Sequence, residues 1–323
     1  MSNQVGNEQS IFRWNGNLFN GASVFLVPCL MIWITGFLVG SLYGQLRLPE
    51  GWSEDSSLRD IHFVDHDLGW AVGDRGTILK TEDGGRNWIS ITTPRDIVWS
   101  DVYFLDENHG WIVGGYYRGQ AGRSVGVMLQ TDDGGQSWKN VSNIGMPFIR
   151  SIRFFDFNSG WLLCDSNSLY PWGMLVTSDG GKTWYRESRL PKQGVRLADS
   201  SGHGKISSIT NGGNLIEVNL KDATGQTKGR EEFSIGEIAN ALKLTPDGKG
   251  LIAGEKGLVL VRGSTGGWQR SDLPDLYRSI DWNSAFRKGD DCWVAGSPGS
   301  ILLRSEDGGI HWESCRTGET TPL

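Results

Sequence analysis

Apolar and polar positions fall into two regimes along this chain. From Val24 to Tyr43 runs a stretch of 20 residues dominated by apolar side chains, and no charged residue lies between Arg13 and Arg47. At ~1.5 Å rise per residue, a helix of that length crosses the ~30 Å hydrocarbon layer of a membrane. The run predicts a retained transmembrane anchor over residues 21–44, behind a short cytoplasmic tail over 1–20. A cleaved signal peptide, which needs only ~7–15 apolar residues, is the alternative. From about Leu58 the pattern changes to short runs in which apolar and polar residues alternate, separated by Gly and Asp turns. A period of two marks strands with one buried face. The pattern therefore predicts an all-β domain over 58–315, with 45–57 as a linker or closing strand and 316–323 as a C-terminal tail.

Self-comparison organises the β region. Gly69-Trp70-Ala71-Val72-Gly73 followed by Thr81-Glu82-Asp83-Gly84-Gly85-Arg86-Asn87-Trp88 returns as Gly110-Trp111-Ile112-Val113-Gly114 with Thr131-Asp132-Asp133-Gly134-Gly135-Gln136-Ser137-Trp138. It returns again as Gly160-Trp161 with Thr177 to Trp184, and as Cys292-Trp293-Val294-Ala295-Gly296 with Ser305 to Trp312. The interval between Trp161 and Trp293 holds two weaker copies, around Arg196–Phe233 and Leu242–Trp268. Six units of about 41–50 residues, each with four short strands, have the period of a propeller blade. A single four-stranded unit is too small to bury both its faces, whereas stacking units around an axis buries them. The expected fold is a β-propeller of six, or seven, four-stranded blades after one N-terminal transmembrane helix.

The turns account for most of the unusual composition, 46 Gly and 15 Trp in 323 residues. In the Asp-Gly-Gly step, Gly supplies positive φ and the Asp, with the preceding Thr or Ser, hydrogen-bonds the turn backbone. The Trp of each Gly-Trp step is placed to fill the space between blades, and the closing Trp to cover the turn.

These S/T-x-D-G-G-x-x-W turns resemble the Asp-box, or bacterial neuraminidase repeat. The fuller unit, with its F-x-D and G-W-A-V-G steps, resembles the photosystem II assembly and stability factor family. That resemblance implies a non-enzymatic scaffold on the lumenal or periplasmic side of a membrane, helping to assemble a photosynthetic reaction centre; family propellers are described as seven-bladed. The alternative is a glycan-binding or sialidase-like hydrolase propeller. A sialidase shares the turns, but no Phe/Tyr-Arg-Ile-Pro motif precedes Thr81.

Charge and cysteines narrow the function further. A net charge of −6 gives no global basic field for nucleic acid. The four cysteines contain no Cys-x-x-Cys pair, and no calcium loop is spelled out, so neither metal nor cofactor is expected. Cys292 and Cys315 fall two strands apart, about 10 Å at ~4.8 Å per strand, too far for a disulfide.

Aligning the repeats on the residue entering each innermost strand gives Arg59, Ser100, Arg150, Arg196, Asn240 and Arg278. Four arginines at one level around an axis could hold a carboxylate or acidic peptide. Loops expected on the same face add Tyr116, Tyr117 and Arg118 from the second unit and Trp172 from the third, residue types enriched at interface hot spots. The expected partner is a membrane protein or acidic peptide. The positive-inside rule, from Arg13 alone, places the propeller on the periplasmic or lumenal side.

Overall fold

The structure is a computed structural model. It describes residues 56–315 apart from 92, 95, 120–122, 172, 193, 202–203 and 221–229. The expected membrane span, tail and linker up to residue 55, and the C-terminal tail, lie outside the described residues. Among the described residues no helix is long and apolar enough to cross a membrane.

Six antiparallel sheets follow one another along the chain. Blade one comprises β1 (Leu58–Phe63), β2 (Gly69–Gly73), β3 (Ile78–Thr81) and β4 (Ile89–Ile91). Blade two comprises β5 (Val98–Phe104), β6 (Gly110–Arg118), β7 (Arg123–Thr131) and β8 (Lys139–Asn140). Blade three has β9 (Ile149–Phe154), β10 (Gly160–Cys164) and β11 (Met174–Thr177), its fourth strand shrunk to a single bridge between Val176 and Tyr185. Blade four comprises β12 (Val195–Ser201), β13 (Lys205–Thr210), β14 (Asn214–Asn219) and β15 (Arg230–Ser234). Blade five comprises β16 (Ala239–Leu244), β17 (Gly250–Gly254), β18 (Val259–Arg262) and β19 (Gln269–Arg270). Blade six comprises β20 (Asp281–Lys288), β21 (Asp291–Ser297), β22 (Ile301–Ser305) and β23 (Glu313–Ser314). In each blade the strands pair in sequence order, so every connection inside a blade is a hairpin.

The first strand of each blade is the one that touches the first strand of the next, which places β1, β5, β9, β12, β16 and β20 around the axis. The Gly-Trp tryptophans do what the repeat predicts. Trp70 stacks on Phe104 of the next blade at 3.5 Å between ring centres, and Trp111 on Phe154 at 3.9 Å. Both tryptophans are fully buried. Among the described residues the apolar core divides into five clusters, one at each of the junctions one–two, two–three, three–four, four–five and five–six. Among the described residues no such cluster joins blade six to blade one. There the outward faces stay open: Ile61 is 55% and Phe286 54% exposed, whereas Val102 and Ile152, which align with Ile61, are buried.

The Asp-box turns are self-contained. Thr131 Oγ1 accepts from the Gly135 amide at 2.9 Å and donates to Asp133 at 2.7 Å, and Asp133 accepts from the Ser137 amide and hydroxyl. Gly134 and Gly135 both have positive φ, 68° and 78°, the region that favours glycine. The turns centred on Thr81, Thr177 and Ser305 repeat this bonding. In the third, hydrogen bonds from the Thr183 hydroxyl and amide hold the Asp179 carboxyl down at about 2. These aspartates are committed to their own backbone.

A charged network ties the axial strands. Asp60 on β1 accepts the Val102 amide of blade two at 3.1 Å; Asp101 on β5 accepts the Ile152 amide of blade three at 2.7 Å; Asp199 on β12 accepts the Leu244 amide of blade five at 2.8 Å. Arg153 on β9 donates to Asp101 at 2.6 Å, and its guanidinium holds Asp101 ionised despite full burial. Asp60 forms no ion pair among the described residues, and the Arg153 charge only partly offsets its burial. Burial and the neighbouring Asp101 charge push its carboxyl up to about 8. A carboxyl whose folded value is raised takes up a proton on folding, so its contribution to stability declines as pH rises from its ordinary value near 4 through about 8. Urea denaturation of the wild type and of Asp60→Asn at pH 5 and pH 8.5 should show a fall in the wild type that the variant lacks. Equal pH dependence in both would show that Asp60 is ionised throughout.

Candidate functional site

One irregularity recurs in all six axial strands. The pairing of each first strand with its second slips by one residue, leaving Arg59, Ser100, Arg150, Arg196, Asn240 and Asn283 unpaired at a β-bulge. A bulge re-aims the side chain it carries and is a local feature of register, with no signature in alternation. Five of the six residues read from the sequence occupy it. Arg278 does not: it follows the short helical turn Asp275–Tyr277 and pairs with Asp275 at 3.0 Å, and blade six places Asn283 at the bulge. The reason is spacing, since the Asp275–Tyr277 turn displaces the entry of β20 by several residues relative to the other units.

The bulge side chains are linked around the axis. Ser100 donates to the Ile149 carbonyl at 2.6 Å, Arg196 to the Asn240 side chain at 2.8 Å, and Asn240 to the Trp282 carbonyl at 3.2 Å. Arg59 pairs with Asp74 and Arg150 with Asp165, each acid standing just after the second strand of the same blade. Among the described residues Arg196 pairs only with the neutral Asn240, and no acid among them cancels its charge in an ion pair.

Between blades two, three and four this ring opens into a cavity of about 1010 Å³ lined by Tyr117, Arg123, Arg150, Asp165, Asn167 and Arg196, among others. Three guanidinium groups face one carboxylate there. Arg123 makes no ion pair among the described residues. Its strand β7 and the facing β6 are nine residues each, longer than their counterparts in the other blades, so the hairpin projects beyond the sheet. Tyr117 on it stacks against Phe148 at 5.5 Å and its hydroxyl donates to Asp165 at 3.3 Å. Burial pushes the Cys164 thiol, at the cavity floor, up to about 12, which keeps it protonated and a poor nucleophile.

Of the residues singled out from sequence, the cavity thus gathers Arg150, Arg196 and Tyr117. Tyr116 and Arg118 stand on the same hairpin, Arg118 lying 5.1 Å over the Tyr116 ring, but neither lines the cavity. Arg59 sits at the matching bulge of blade one, and Trp172 lies outside the described residues. Sequence reading missed Asp165 and Asn167. The spacing of Asp74 and Asp165 after the Gly-Trp strand is the signal that marks such acids.

A family model described as the photosynthesis system II assembly factor YCF48 matches residues 47–142 and 87–249, more than half of the chain. The chain belongs to this family. A curated relative, the chloroplastic photosystem II stability/assembly factor HCF136 of Guillardia theta, is 33% identical over 95 residues. That match covers 28% of this chain and only 22% of the relative's length. Among solved structures, YCF48 bound to D1 peptide is similar at 26% identity with a TM-score of 0.60, covering 80% of this chain and 82% of that one. YCF48 from Cyanidioschyzon merolae is similar at 20% identity with a TM-score of 0.59, covering 80% and 85%; at that identity the likeness shows the fold alone. The family model ends at residue 249, so it spans blades one to four and the first strand of blade five.

Proposed function

We propose that this chain is a non-enzymatic assembly scaffold that captures a segment of a photosystem II protein, of the D1 peptide kind, in the cationic cavity of blades two to four. The observation that carries the reading is the charge of that cavity: Arg123, Arg150 and Arg196 against the single acid Asp165. Guanidinium groups bind carboxylates through paired, charge-assisted hydrogen bonds. The similar structure with a bound D1 peptide supports a peptide as the occupant. A two-carboxylate hydrolase has less support, since among the described residues the cavity lining holds one carboxylate. In this reading residues 21–44 tether the propeller to the membrane on its periplasmic or lumenal side, where a membrane-protein partner is within reach.

Fluorescence anisotropy of a labelled D1 peptide with the full chain in detergent tests the proposal. Binding should be saturable and weaken several-fold between 50 mM and 500 mM salt, as screening predicts for exposed charges. Absence of binding at low salt would rule it out.

A further inference from the structure

Beside the cationic cavity lies an apolar ledge that charge recognition does not use. Leu169, in the loop between β10 and β11, lines the cavity and is 65% exposed; Ile144, in the loop between β8 and β9, is 97% exposed. The two loops are fastened together. Asn167 donates to the Gly145 carbonyl at 2.9 Å and accepts the Leu169 and Tyr170 amides. Gly145, also in the cavity wall, has φ 75°, and a Cβ there would stand 2.6 Å from Leu169 Cδ1. Leu169 therefore rests against a glycine at the cavity edge with its far side open to solvent, on a turn held by Asn167.

Building on the peptide-capture reading, we infer that the site is bipartite: the arginines take a carboxylate and the Leu169–Ile144 ledge takes an aliphatic side chain of the same peptide segment. The occupant is an acidic peptide with a leucine or isoleucine next to its carboxylates. Charge complementarity selects the peptide's acidic end. The ledge then discriminates among acidic peptides, which an arginine cluster alone does poorly because any carboxylate satisfies it. Covering two exposed aliphatic side chains is a contribution that salt does not screen.

Two labelled decapeptides of Gly and Ser with a pair of glutamates, one carrying an adjacent leucine and the other a serine there, separate the two contributions in the full chain. The wild type should bind the leucine peptide about tenfold more tightly. Leu169→Ser with Ile144→Ser should remove that preference, so that the two peptides bind the variant with equal affinity. Both side chains are exposed, so the fold should not suffer. Equal binding of both peptides by the wild type, or a preference kept by the double variant, would overturn the ledge and leave peptide capture standing. Failure of both peptides to bind at low salt would remove the peptide-capture reading, and the ledge with it. A change of oligomeric state in the double variant would assign the ledge to a second copy of the chain and overturn it as a peptide subsite.

Discussion

Replacing Arg150 and Arg196 together by glutamate should abolish peptide binding and leave the propeller folded. Each exposed charge contact is worth about 0.2–1 kcal/mol, so losing two costs up to about 2 kcal/mol, roughly 30-fold in affinity. Reversal also adds repulsion between each new carboxylate and an acidic ligand. At position 150 the new glutamate would meet Asp165, now 2.7 Å from the guanidinium, making the cavity acidic. Neither arginine is buried, and surface charges contribute little to stability, so circular dichroism and the melting temperature should stay close to those of the wild type. Arg59→Glu is the informative companion, because Arg59 occupies the same bulge in blade one but does not line the cavity. It should reduce affinity far less. Retention of wild-type affinity by the double variant, in the same anisotropy measurement, would place the peptide elsewhere.

Trp111→Ala should produce the largest loss of stability of any single change at a Gly-Trp position, about 3–5 kcal/mol. Trp111 is buried at the junction of blades two and three, stacked 3.9 Å from the Phe154 ring, in a cluster that includes Met128, Ile149, Ile152 and Leu175. Removing the indole leaves a cavity walled by two separate sheets, which cannot close over it without shifting whole blades. Trp111→Phe should cost less than half as much, because the indole nitrogen has no hydrogen-bond partner among the described residues to lose. Urea denaturation measures both. Near-equal costs would mean that a polar contact of Trp111, and not its bulk, holds the junction.

The propeller was legible because its determinants are local and repeated. Asp133 and Thr131 close a turn within seven residues, and Trp111 fills a junction wherever its Gly-Trp step recurs. Blades four and five show where this legibility weakens. They lack the Asp-box, and side chains that no repeat announces tie this part of the ring: Arg262 of β18 in blade five reaches Glu217 of β14 in blade four, and Arg287 of β20 in blade six donates to the Gly250 carbonyl of blade five at 2.7 Å. The site was legible in part for a similar reason. Arginines at one position of several repeats could be aligned, but that the position is a bulge is a property of paired register. Arg278 shows the limit, since a three-residue helical turn before β20 shifts the spacing by which the sixth arginine was chosen. Asp165 was missed because nothing in strand alternation distinguishes an acid that pairs with Arg150 from one that faces water.

Among the described residues no apolar cluster fills the junction between blades six and one, so mechanically these blades form a row of six plates with two ends. Detaching an inner blade breaks two interfaces, whereas detaching an end blade breaks one. Local opening therefore has its lowest free-energy cost at blades one and six. Tension applied at Leu58, where blade one begins, would pull first on a plate with a single neighbour among the described blades. The cationic cavity sits in blades two to four, behind that plate and away from both ends of the row.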